Sequence, residues 1–402
     1  MLSREENELL TRVDSGAPMG EYLRETCWFP VVIGSKLIPG GKPVLVRLMG
    51  EQYVAYRGVD GQVGLFDEKC PHRGASLMLA RSEGNAIRCI FHGWKYHVDG
   101  TVLEVPTEPH NQAEFCKKVP LKRYAVREGC GIVWAWLGRG EPQPFPDFEF
   151  NNLGPDRTYV VRQQLVCNWV QDLEGGLDSA HVSILHQSWL SGVSIGLSAE
   201  DLAPTYEFEE RPGGYRYAAL RKLKNGSTYA RVNQFVMPWF ALICPEQVPD
   251  GDRLVIMSTP IDDTHCWHWM IRYNPYKTLS PSFANPADDV DNWPPLPPSD
   301  RLDSYGQDRA DMQDGVFTGF KHINTEDFAV ALSQGPIADR SKEFLNHGDL
   351  GVVRMRRMLI NGATVFMKTR SVPAALNEIL YPKIRASAGI IREDDEWHAL
   401  AD

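Results

Sequence analysis

Two short segments of this chain each pair a cysteine with a histidine. The first is Cys70-x-His72 and the second is Cys89-x2-His92, with 16 residues between them. Thiolate sulfur and neutral imidazole nitrogen are the protein ligands that bind zinc and iron. The two segments therefore predict one four-ligand metal site, and the fold must bring two turns of the chain together to form it.

The arrangement of these ligands distinguishes two kinds of metal site. Zinc fingers usually place two cysteines in one half and two histidines on a helix. Here each half contributes one cysteine and one histidine from a turn between strands, which suits a binuclear cluster with thiolates on one iron and imidazoles on the other. Gly74 and Gly93 allow backbone N–H groups to approach the cluster, and Trp94 can shield it from water. CPHRG followed by CIFHGW resembles the Rieske [2Fe–2S] box, with structural zinc as the alternative.

The length of 402 residues favours two domains. From Pro30 to Leu137, short apolar stretches separated by Gly, Asp and Asn turns predict a small antiparallel β domain. The proline-rich segment 138–150 predicts a linker. Ser3 and Glu6 predict a capping box that opens an N-terminal helix.

Beyond the linker, strand-like segments are interrupted by two helical patches, Trp169–His186 and Asn324–Leu332, and the proline-rich stretch Pro275–Asp300 predicts a surface loop. The predicted fold class is α+β, with a small all-β domain followed by a larger antiparallel-sheet domain covered by helices. The predicted domains are an N-terminal helical segment that packs on the larger domain, the β domain and the larger domain, at residues 1–29, 30–140 and 150–402.

The composition of the chain indicates which classes of binding partner and which cellular compartment are expected. The net charge of −10 disfavours nucleic acid and anionic membranes. No stretch approaches the ~20 uninterrupted apolar residues that span a bilayer, and the N-terminus lacks the layout of a signal peptide. The eight cysteines follow no regular framework, which favours reduced thiols in a cytoplasmic protein.

The segment CNWVQDLEGGLDSAHVSILH predicts a second metal site. It contains Asp178-x2-His181-x4-His186, in which Asp178 and His181 would share one face of a continuous helix. His186 would then lie roughly 140° further round, so both histidines bind one ion only if the helix ends or distorts between them. Two histidines with one carboxylate form the facial triad that leaves positions open for O2 on non-haem Fe(II).

D-x2-H-x4-H downstream of a Rieske box resembles the catalytic motif of the Rieske non-haem iron oxygenases, which hydroxylate aromatic rings. The resemblance covers nearly the whole chain and points to the large (alpha) subunit of the phthalate-dioxygenase-like branch. It implies that the larger domain is a START-like catalytic domain. It also implies that the first site holds a Rieske [2Fe–2S] cluster and that His181 and His186 bind Fe2+.

The same resemblance extends to INTEDFAVALSQGPIADR, which is similar to the helix that carries the third iron ligand in that branch. There the aspartate precedes an SQGPIADR-like stretch, which matches Asp327. Glu326, beside it, and Asp339, within the stretch, are competing carboxylates. Glu326 is otherwise expected to be a surface cap residue.

The resemblance implies a homotrimer, or stacked trimers, in which the cluster of one chain lies beside the iron of the next. Asp178 is then expected to link them by accepting hydrogen bonds from His181 and from the neighbouring chain's His92. The sequence has no Gly-rich dinucleotide fingerprint. A separate flavin/iron–sulfur reductase is therefore expected to deliver electrons from NAD(P)H, with Arg73 as a candidate docking residue.

Members of this branch commonly act on aromatic carboxylates, for which arginine is a natural anchor. The strand-like segments offer Arg216, Arg221 and Arg231, and alternation in TYARVNQFVMPWF places Arg231 on the same side as Asn233. Arg231 is the predicted anchor, and a surface or ion-paired arginine is the alternative. The aromatic candidates for an apolar pocket wall are Phe235, Trp239 and Phe240.

The predicted function is a terminal oxygenase that uses O2 to hydroxylate an aromatic carboxylate of the phthalate, benzoate or phenoxybenzoate type, by cis-dihydroxylation. One alternative is a Rieske monooxygenase that removes a methyl group from an aryl ether. A different class of protein is also compatible with the first metal site alone, namely a Rieske electron carrier or a zinc-stabilised binding protein.

Overall fold

The computed structural model of the chain describes residues 1–190, 194–244, 251–279, 289–293, 296, 301–392 and 395–400. Contacts within the chain divide it into two compact units. The small unit is Arg24–Phe145, and the large unit is Met1–Leu23 together with Pro146–Asp402. Much of the predicted surface loop Pro275–Asp300 lies outside the described residues.

The chain begins with two helices, α1 (Arg4–Thr11) and α2 (Pro18–Thr26). The predicted capping box is present, because Ser3 Oγ accepts from Glu6 N–H at 3.1 Å and Ser3 N–H donates to the Glu6 carboxylate at 2.8 Å. Within the large unit, Asn7 in α1 donates a hydrogen bond to the carbonyl of Ala338 at 3.0 Å. The first helix is therefore fixed to a segment more than 300 residues away in the sequence.

The small unit contains three antiparallel sheets and one short helix. The sheet orders are β1-β10-β9, β2-β3-β4 and β5-β6-β7-β8. The bounds are β1 (Trp28–Ile33), β2 (Val44–Leu48), β3 (Glu51–Arg57), β4 (Val63–Asp67), β5 (Arg81–Glu83), β6 (Ala86–Arg88), β7 (Lys95–His97), β8 (Val102–Glu104), α3 (Gln112–Lys118), β9 (Ala125–Gly129) and β10 (Ile132–Trp136).

The core of the small unit includes both candidate cysteines. Cys70 and Cys89 pack in one buried cluster with Phe66, Ile87 and Tyr96. The second cysteine turn connects β6 to β7, and the first follows β4. The predicted small β domain is thereby confirmed, and its core holds the two turns together.

The large unit is built on an eight-stranded antiparallel sheet in the order β11-β17-β16-β15-β14-β13-β12, with β18 paired to β14. Every residue of β14 is buried. The remaining bounds are β11 (Thr158–Leu165), α4 (Trp169–Leu177), α5 (Val182–Leu185), β12 (Thr205–Arg211), β13 (Gly214–Lys222), β14 (Thr228–Val236), β15 (Phe240–Ile243), β16 (Arg253–Asp262), β17 (His265–Tyr273), α6 (Arg309–Gln313), α7 (Ile323–Ser333), α8 (Leu350–Thr369), α9 (Ala374–Asn377) and β18 (Ser387–Ile391).

Helix α4 packs directly on the sheet. A Cβ atom at Gly176 would lie 3.2 Å from the Cβ of Ala241 in β15, so glycine permits this close approach. The α+β architecture predicted from the sequence is confirmed, although the sequence did not predict the long helix α8. None of the helices formed by the described residues has the length and apolar character needed to span a membrane.

A buried charge cluster connects α4 to α8. The Glu174 carboxylate accepts hydrogen bonds from Arg340 at 2.7 and 2.9 Å and from Arg356 at 2.6 Å. Arg356 also donates to Glu343 at 2.6 and 3.0 Å. Burial opposes ionisation of Glu174, but the two guanidinium groups outweigh it and hold the pKa of this carboxyl below its usual range.

We expect the Glu174→Gln variant to lose about 3–5 kcal/mol of unfolding free energy, because the buried guanidinium groups lose their shared charge partner. Denaturant unfolding monitored by circular dichroism measures this loss. The matched control is Glu210→Gln, which removes a carboxylate from the exposed Arg354–Glu210 pair and should cost about 1 kcal/mol or less. Equal losses in the two variants would contradict this assignment.

Candidate active site

Two turns of the small unit, beginning at Cys70 and Cys89, share one hydrogen-bond pattern. In each, the cysteine N–H donates to the carbonyl five residues later at 2.8 Å, and a glycine N–H donates back to the cysteine carbonyl at 2.9 Å. These glycines, Gly74 and Gly93, have φ values of +70° and +77°. A residue with a Cβ atom rarely adopts this conformation, so the glycines are required by the turn itself.

The side chains of these turns converge. The rings of His72 and His92 are 4.4 Å apart between centroids, and both cysteines are buried. Cys70 Sγ lies 3.0 Å from the hydroxyl of Tyr96. His92 Nδ1 is buried, and it has no hydrogen-bond partner among the described residues. A buried nitrogen without a partner beside two buried thiols fits the donor set of a [2Fe–2S] cluster.

At the edge of this site, one aromatic ring covers His72 and two apolar side chains are exposed to solvent. Trp94 stacks on His72 at 4.5 Å with an interplanar angle of 9°. Ile90 and Phe91 are 64% and 53% exposed, and the Arg73 guanidinium lies 5.3 Å from the Phe91 ring centroid. Large exposed apolar side chains of this kind mark interaction surfaces.

In the large unit, three candidate ligand atoms form a nearly equilateral triangle. His181 Nε2 lies 3.2 Å from His186 Nε2, and Asp327 Oδ1 lies 3.6 and 3.1 Å from these two nitrogens. Ligands about 2.1 Å from one ion and at right angles to each other are separated by about 3.0 Å. The three side chains therefore fit one face of a mononuclear iron site.

The helix boundaries around the two histidines differ from those that the sequence predicts. Helix α4 ends at Leu177, and Asp178 has extended geometry with φ −79° and ψ 113°. The prediction that Asp178 and His181 share a helix face is therefore wrong. His181 directly precedes the short helix α5 and His186 directly follows it. The predicted end of a helix between the two histidines is therefore the end of α5 at Leu185.

Two side chains of β13 stabilise the end of α4. The Tyr217 hydroxyl donates to the carbonyl of Leu177, and Arg221 Nη2 donates to the carbonyl of Ser179 at 2.6 Å. The last carbonyls of a helix have no intrahelical partner, and Tyr217 supplies one for Leu177. Arg221 binds the chain two residues beyond the helix end, where a positive charge is also favoured by the helix dipole.

Asp178 lies beside the outer nitrogen of the first histidine. Its Oδ2 is 3.6 Å from His181 Nδ1, and its Oδ1 accepts a hydrogen bond from Ala180 N–H at 2.7 Å. Burial alone would raise the pKa of Asp178, but the hydrogen bond and charge of His181 outweigh it and lower that pKa. Asp178 is therefore an anion that can accept hydrogen bonds.

Glu326 has a different position from the one expected. It is fully buried rather than a surface cap residue, so that expectation is wrong. Its Oε2 lies 2.6 Å from His186 Nδ1, and its Oε1 accepts a hydrogen bond from Thr318 Oγ1 at 2.5 Å. A carboxylate on Nδ1 fixes the ring with Nε2 free to bind a metal. The sequence signal for this role was the position of the acidic pair 326–327 directly before the apolar stretch 328–332.

The third competing carboxylate, Asp339, is exposed and forms an ion pair with Lys342 at 2.8 Å. It is not part of the group of described residues whose ligand atoms converge on one point, which consists of His181, His186 and Asp327. Of the three carboxylates considered from the sequence, the structure brings Asp327 to the histidine Nε2 atoms.

The two histidines and Asp327 line a cavity of about 1060 Å³. Apolar side chains from β15, β16 and β17 form part of its wall, namely Ile243, Leu254, Ile256 and Met270. The aromatic residues predicted for this role, Phe235, Trp239 and Phe240, are buried and are not among the residues that line this cavity.

Arg231 and Asn233 both line the cavity, as alternation along β14 predicts. Arg231 is buried, and its Nη1 lies 3.3 Å from Ser179 Oγ. Within the part of the chain that the structure describes, its Nε has no hydrogen-bond partner and it forms no ion pair with a carboxylate. Arg216, in contrast, is paired with Glu209.

Comparison with known proteins identifies the family. Residues 27–124 match the family described as "Rieske [2Fe-2S] domain", and residues 135–402 match the family described as "LigXa C-terminal domain like". The chain is a Rieske non-haem iron oxygenase. It is 37% identical to the oxygenase subunit of phthalate 4,5-dioxygenase from Pseudomonas putida, over 99% of this chain and 94% of that protein.

Two further comparisons agree. The oxygenase is 33% identical to the 3-chlorobenzoate-3,4-dioxygenase oxygenase subunit of Comamonas testosteroni, over 94% of this chain and 92% of that protein. Its fold is similar to that of the terminal oxygenase of carbazole 1,9a-dioxygenase from Nocardioides aromaticivorans IC177, with a TM-score of 0.62 and 19% identity. That alignment covers 89% of this chain and 96% of the other.

Membership of this family establishes the general chemistry. The oxygenase is an O2-dependent oxidoreductase that uses a Rieske [2Fe–2S] cluster and mononuclear iron, and a separate protein supplies its electrons. The alternative of a Rieske electron carrier or zinc-stabilised binding protein is wrong, because the match continues through the whole catalytic domain.

We expect Glu326→Gln to weaken Fe2+ binding about 10–100-fold, because His186 loses the charged partner that orients its ring. Equilibrium dialysis with Fe2+ measures the affinity, while the visible absorption of the cluster reports that the small unit is intact. Asp339→Asn is the control, since this exposed carboxylate does not contact the iron site. An unchanged affinity in Glu326→Gln would show that the contact is not needed for binding.

Proposed function

We propose that this oxygenase hydroxylates an aromatic carboxylate and that Arg231 binds the carboxylate group. The observation that carries the proposal is the buried guanidinium of Arg231 in the cavity wall without a carboxylate partner among the described residues. A buried charge is costly unless it is paired. The named relatives that act on phthalate and 3-chlorobenzoate support an aromatic acid as the missing partner.

The proposed metal assignments follow from the donor sets. Cys70, Cys89 and the two histidines of their turns would hold the [2Fe–2S] cluster. His181, His186 and Asp327 would hold Fe2+ in a triad that leaves positions open. The bound iron would supply O2 activation with electrons from the cluster, so that one arene, one O2, two electrons and two protons give one cis-dihydrodiol.

The residues of the chain itself would bind and orient the substrate. Arg231 would fix the carboxylate end, because a guanidinium donates two parallel hydrogen bonds to a carboxylate. Ile243, Leu254 and Met270 would contact the ring and exclude water around it. With one end held by charge and the ring held by apolar contacts, a defined edge of the arene is presented to the iron site.

We further propose that the oxygenase assembles as a homotrimer, or as stacked trimers, in which Asp178 connects two chains. The neighbouring chain would contribute His92 to the anionic carboxylate of Asp178. Exposed apolar residues support a contact between copies, since Phe344 beside the cavity is 95% exposed and Phe91 beside the cluster is 53% exposed.

The separate electron donor is proposed to be a flavin/iron–sulfur reductase that takes electrons from NAD(P)H. Arg73 is the candidate docking residue on the small unit, since it is exposed and lies in the first cysteine turn. An exposed cation beside the cluster favours an acidic face on the donor protein.

The proposed function is tested by O2 consumption with a surrogate reductase against benzoate, phthalate, 3-phenoxybenzoate and the neutral arene toluene. Turnover of at least one acid, without turnover of toluene, supports the proposal, and the reverse pattern contradicts it. Product analysis with 18O2 then distinguishes the reactions. Two labelled atoms in a cis-diol indicate dioxygenation, whereas loss of a methyl group from an added methoxybenzoate indicates the monooxygenase alternative.

We expect Arg231→Met to raise the KM for the accepted acid by about 100-fold, because a buried hydrogen bond between two charged groups is lost. The change in KM is measured by O2 uptake. Arg216→Met, on the neighbouring strand, removes a buried arginine that does not line the cavity and should leave KM unchanged. A similar KM in Arg231→Met and wild type would exclude Arg231 as the anchor.

We expect Asp178→Asn to retain both metals and to slow transfer of electrons from the cluster about 100-fold, because the anionic acceptor beside His181 is lost. Stopped-flow absorption of the pre-reduced cluster, mixed with O2 and substrate, measures the rate. Metal analysis shows whether both sites remain loaded. A wild-type rate in the loaded variant would refute the bridging role.

A further inference from the structure

His268 lines the same cavity as His181 and His186, and like them it has a carboxylate beside its Nδ1 atom. Its partner is Asp172 in α4, whose oxygens lie 2.9 and 3.1 Å from His268 Nδ1. The sequence prediction did not single out either residue. The cavity therefore contains a further carboxylate–histidine pair, and its function is not explained by the iron site.

The position of the His268 ring is fixed from several sides. The Asp172 carboxylate also accepts a hydrogen bond from Ser258 Oγ at 2.5 Å, and Ser258 is the register partner of His268 across β16 and β17. The Phe328 ring packs against the imidazole with centroids 5.0 Å apart. Both His268 and Asp172 are buried. A buried side chain held by this many contacts presents its remaining nitrogen in one direction.

That remaining nitrogen is Nε2, which is buried and has no hydrogen-bond partner in the residues that the structure describes. Leaving a buried polar atom unpaired is unfavourable, so such atoms in native proteins usually have a ligand or water as partner. His268 is not in the group of described residues whose atoms converge on one metal position. The partner of Nε2 is therefore to be sought among the contents of the cavity.

The neighbouring Asp172 carboxylate also determines whether Nε2 donates or accepts a hydrogen bond. Burial opposes the charged form of an imidazole, whereas a carboxylate 2.9 Å from Nδ1 favours that form and accepts the hydrogen of Nδ1. With Nδ1–H donating to Asp172, a protonated ring carries its second hydrogen on Nε2. Nε2 is then a hydrogen-bond donor, and an oxygen atom is its natural acceptor.

We propose that His268 is a substrate-binding residue whose Nε2–H donates a hydrogen bond to an oxygen atom of the bound aromatic acid, with Asp172 and Ser258 as the residues that position it. The inference rests on the proposed function, because it takes an aromatic acid as the ligand. Since Arg231 lies in β14 and His268 in β17, three strands apart in the sheet order, the two residues approach the ligand from different parts of the wall.

The experiment compares three variants of the full-length, metal-loaded oxygenase. His268→Phe keeps a planar ring but removes the donor, and His268→Gln keeps an N–H donor. His265→Phe is the matched control, because His265 lies in the same strand and pairs with Asp262 at 2.8 Å but does not line the cavity. Equilibrium dialysis of radiolabelled phthalate and benzoate measures Kd without turnover, and Fe2+ content is measured on the same samples.

We expect His268→Phe to raise Kd for the bound acid about tenfold or more, with unchanged Fe2+ content, because a hydrogen bond to a charged oxygen is lost. His268→Gln should retain part of the affinity, and His265→Phe should match wild type. An unchanged Kd in His268→Phe overturns the proposal, and so does a loss of Fe2+ in parallel with the loss of binding.

Failure of the proposed function gives a different result. In that case wild-type protein binds toluene but neither acid, and Kd values for toluene are compared across the same variants. Since toluene has no oxygen acceptor, wild-type binding of toluene alone overturns the His268 proposal together with the proposed function. Binding of an acid by wild type with equal Kd in His268→Phe overturns the His268 proposal alone.

Discussion

The proposed iron site depends on two helix ends, that of α4 at Leu177 and that of α5 at Leu185. Because α5 ends before His186, this histidine leaves the helical path that would place it roughly 140° round from His181. Tyr217 of β13 binds the last helical carbonyl of α4 and Arg221 binds the carbonyl of Ser179 beyond it, which holds the chain between the two helices in place. The chain then forms the short helix α5, and the two histidines at its ends turn their Nε2 atoms toward each other.

Carboxylates surround this site in two different roles. Asp327 lies beside the histidine Nε2 atoms, at the proposed metal position, whereas Asp178 and Glu326 lie beside the Nδ1 atoms. The outer carboxylates orient the rings and hold negative charge close to them. The difference between Glu326 and Asp327, adjacent in one helix, shows that position relative to the ring decides the role of an acidic residue.

The sequence predictions succeeded where spacing alone carries the information. Matched loops around Cys70 and Cys89 followed from the cysteine and histidine spacing together with the glycines, because a turn with positive φ needs glycine at that position. The alternation of Arg231 with Asn233 followed from the two-residue period of a strand. The predictions for Glu326 and for a continuous helix through Asp178 failed, because burial and helix termination depend on segments that lie far away in the sequence.

The sequence by itself determined the paired Cys–His motifs, the histidine pair at positions 181 and 186, the α+β class and the family, since these depend on residue types at short, fixed spacings. Only the tertiary structure decided which carboxylate joins the two histidines, that Arg231 is buried without a carboxylate partner among the described residues, and that His268 faces the cavity beside Asp172. These facts join residues 52 to 146 positions apart, and the packing of α4 on the sheet and of α7 on α4 brings them together. Local spacing contains no information about such contacts, because they depend on how distant elements share one core.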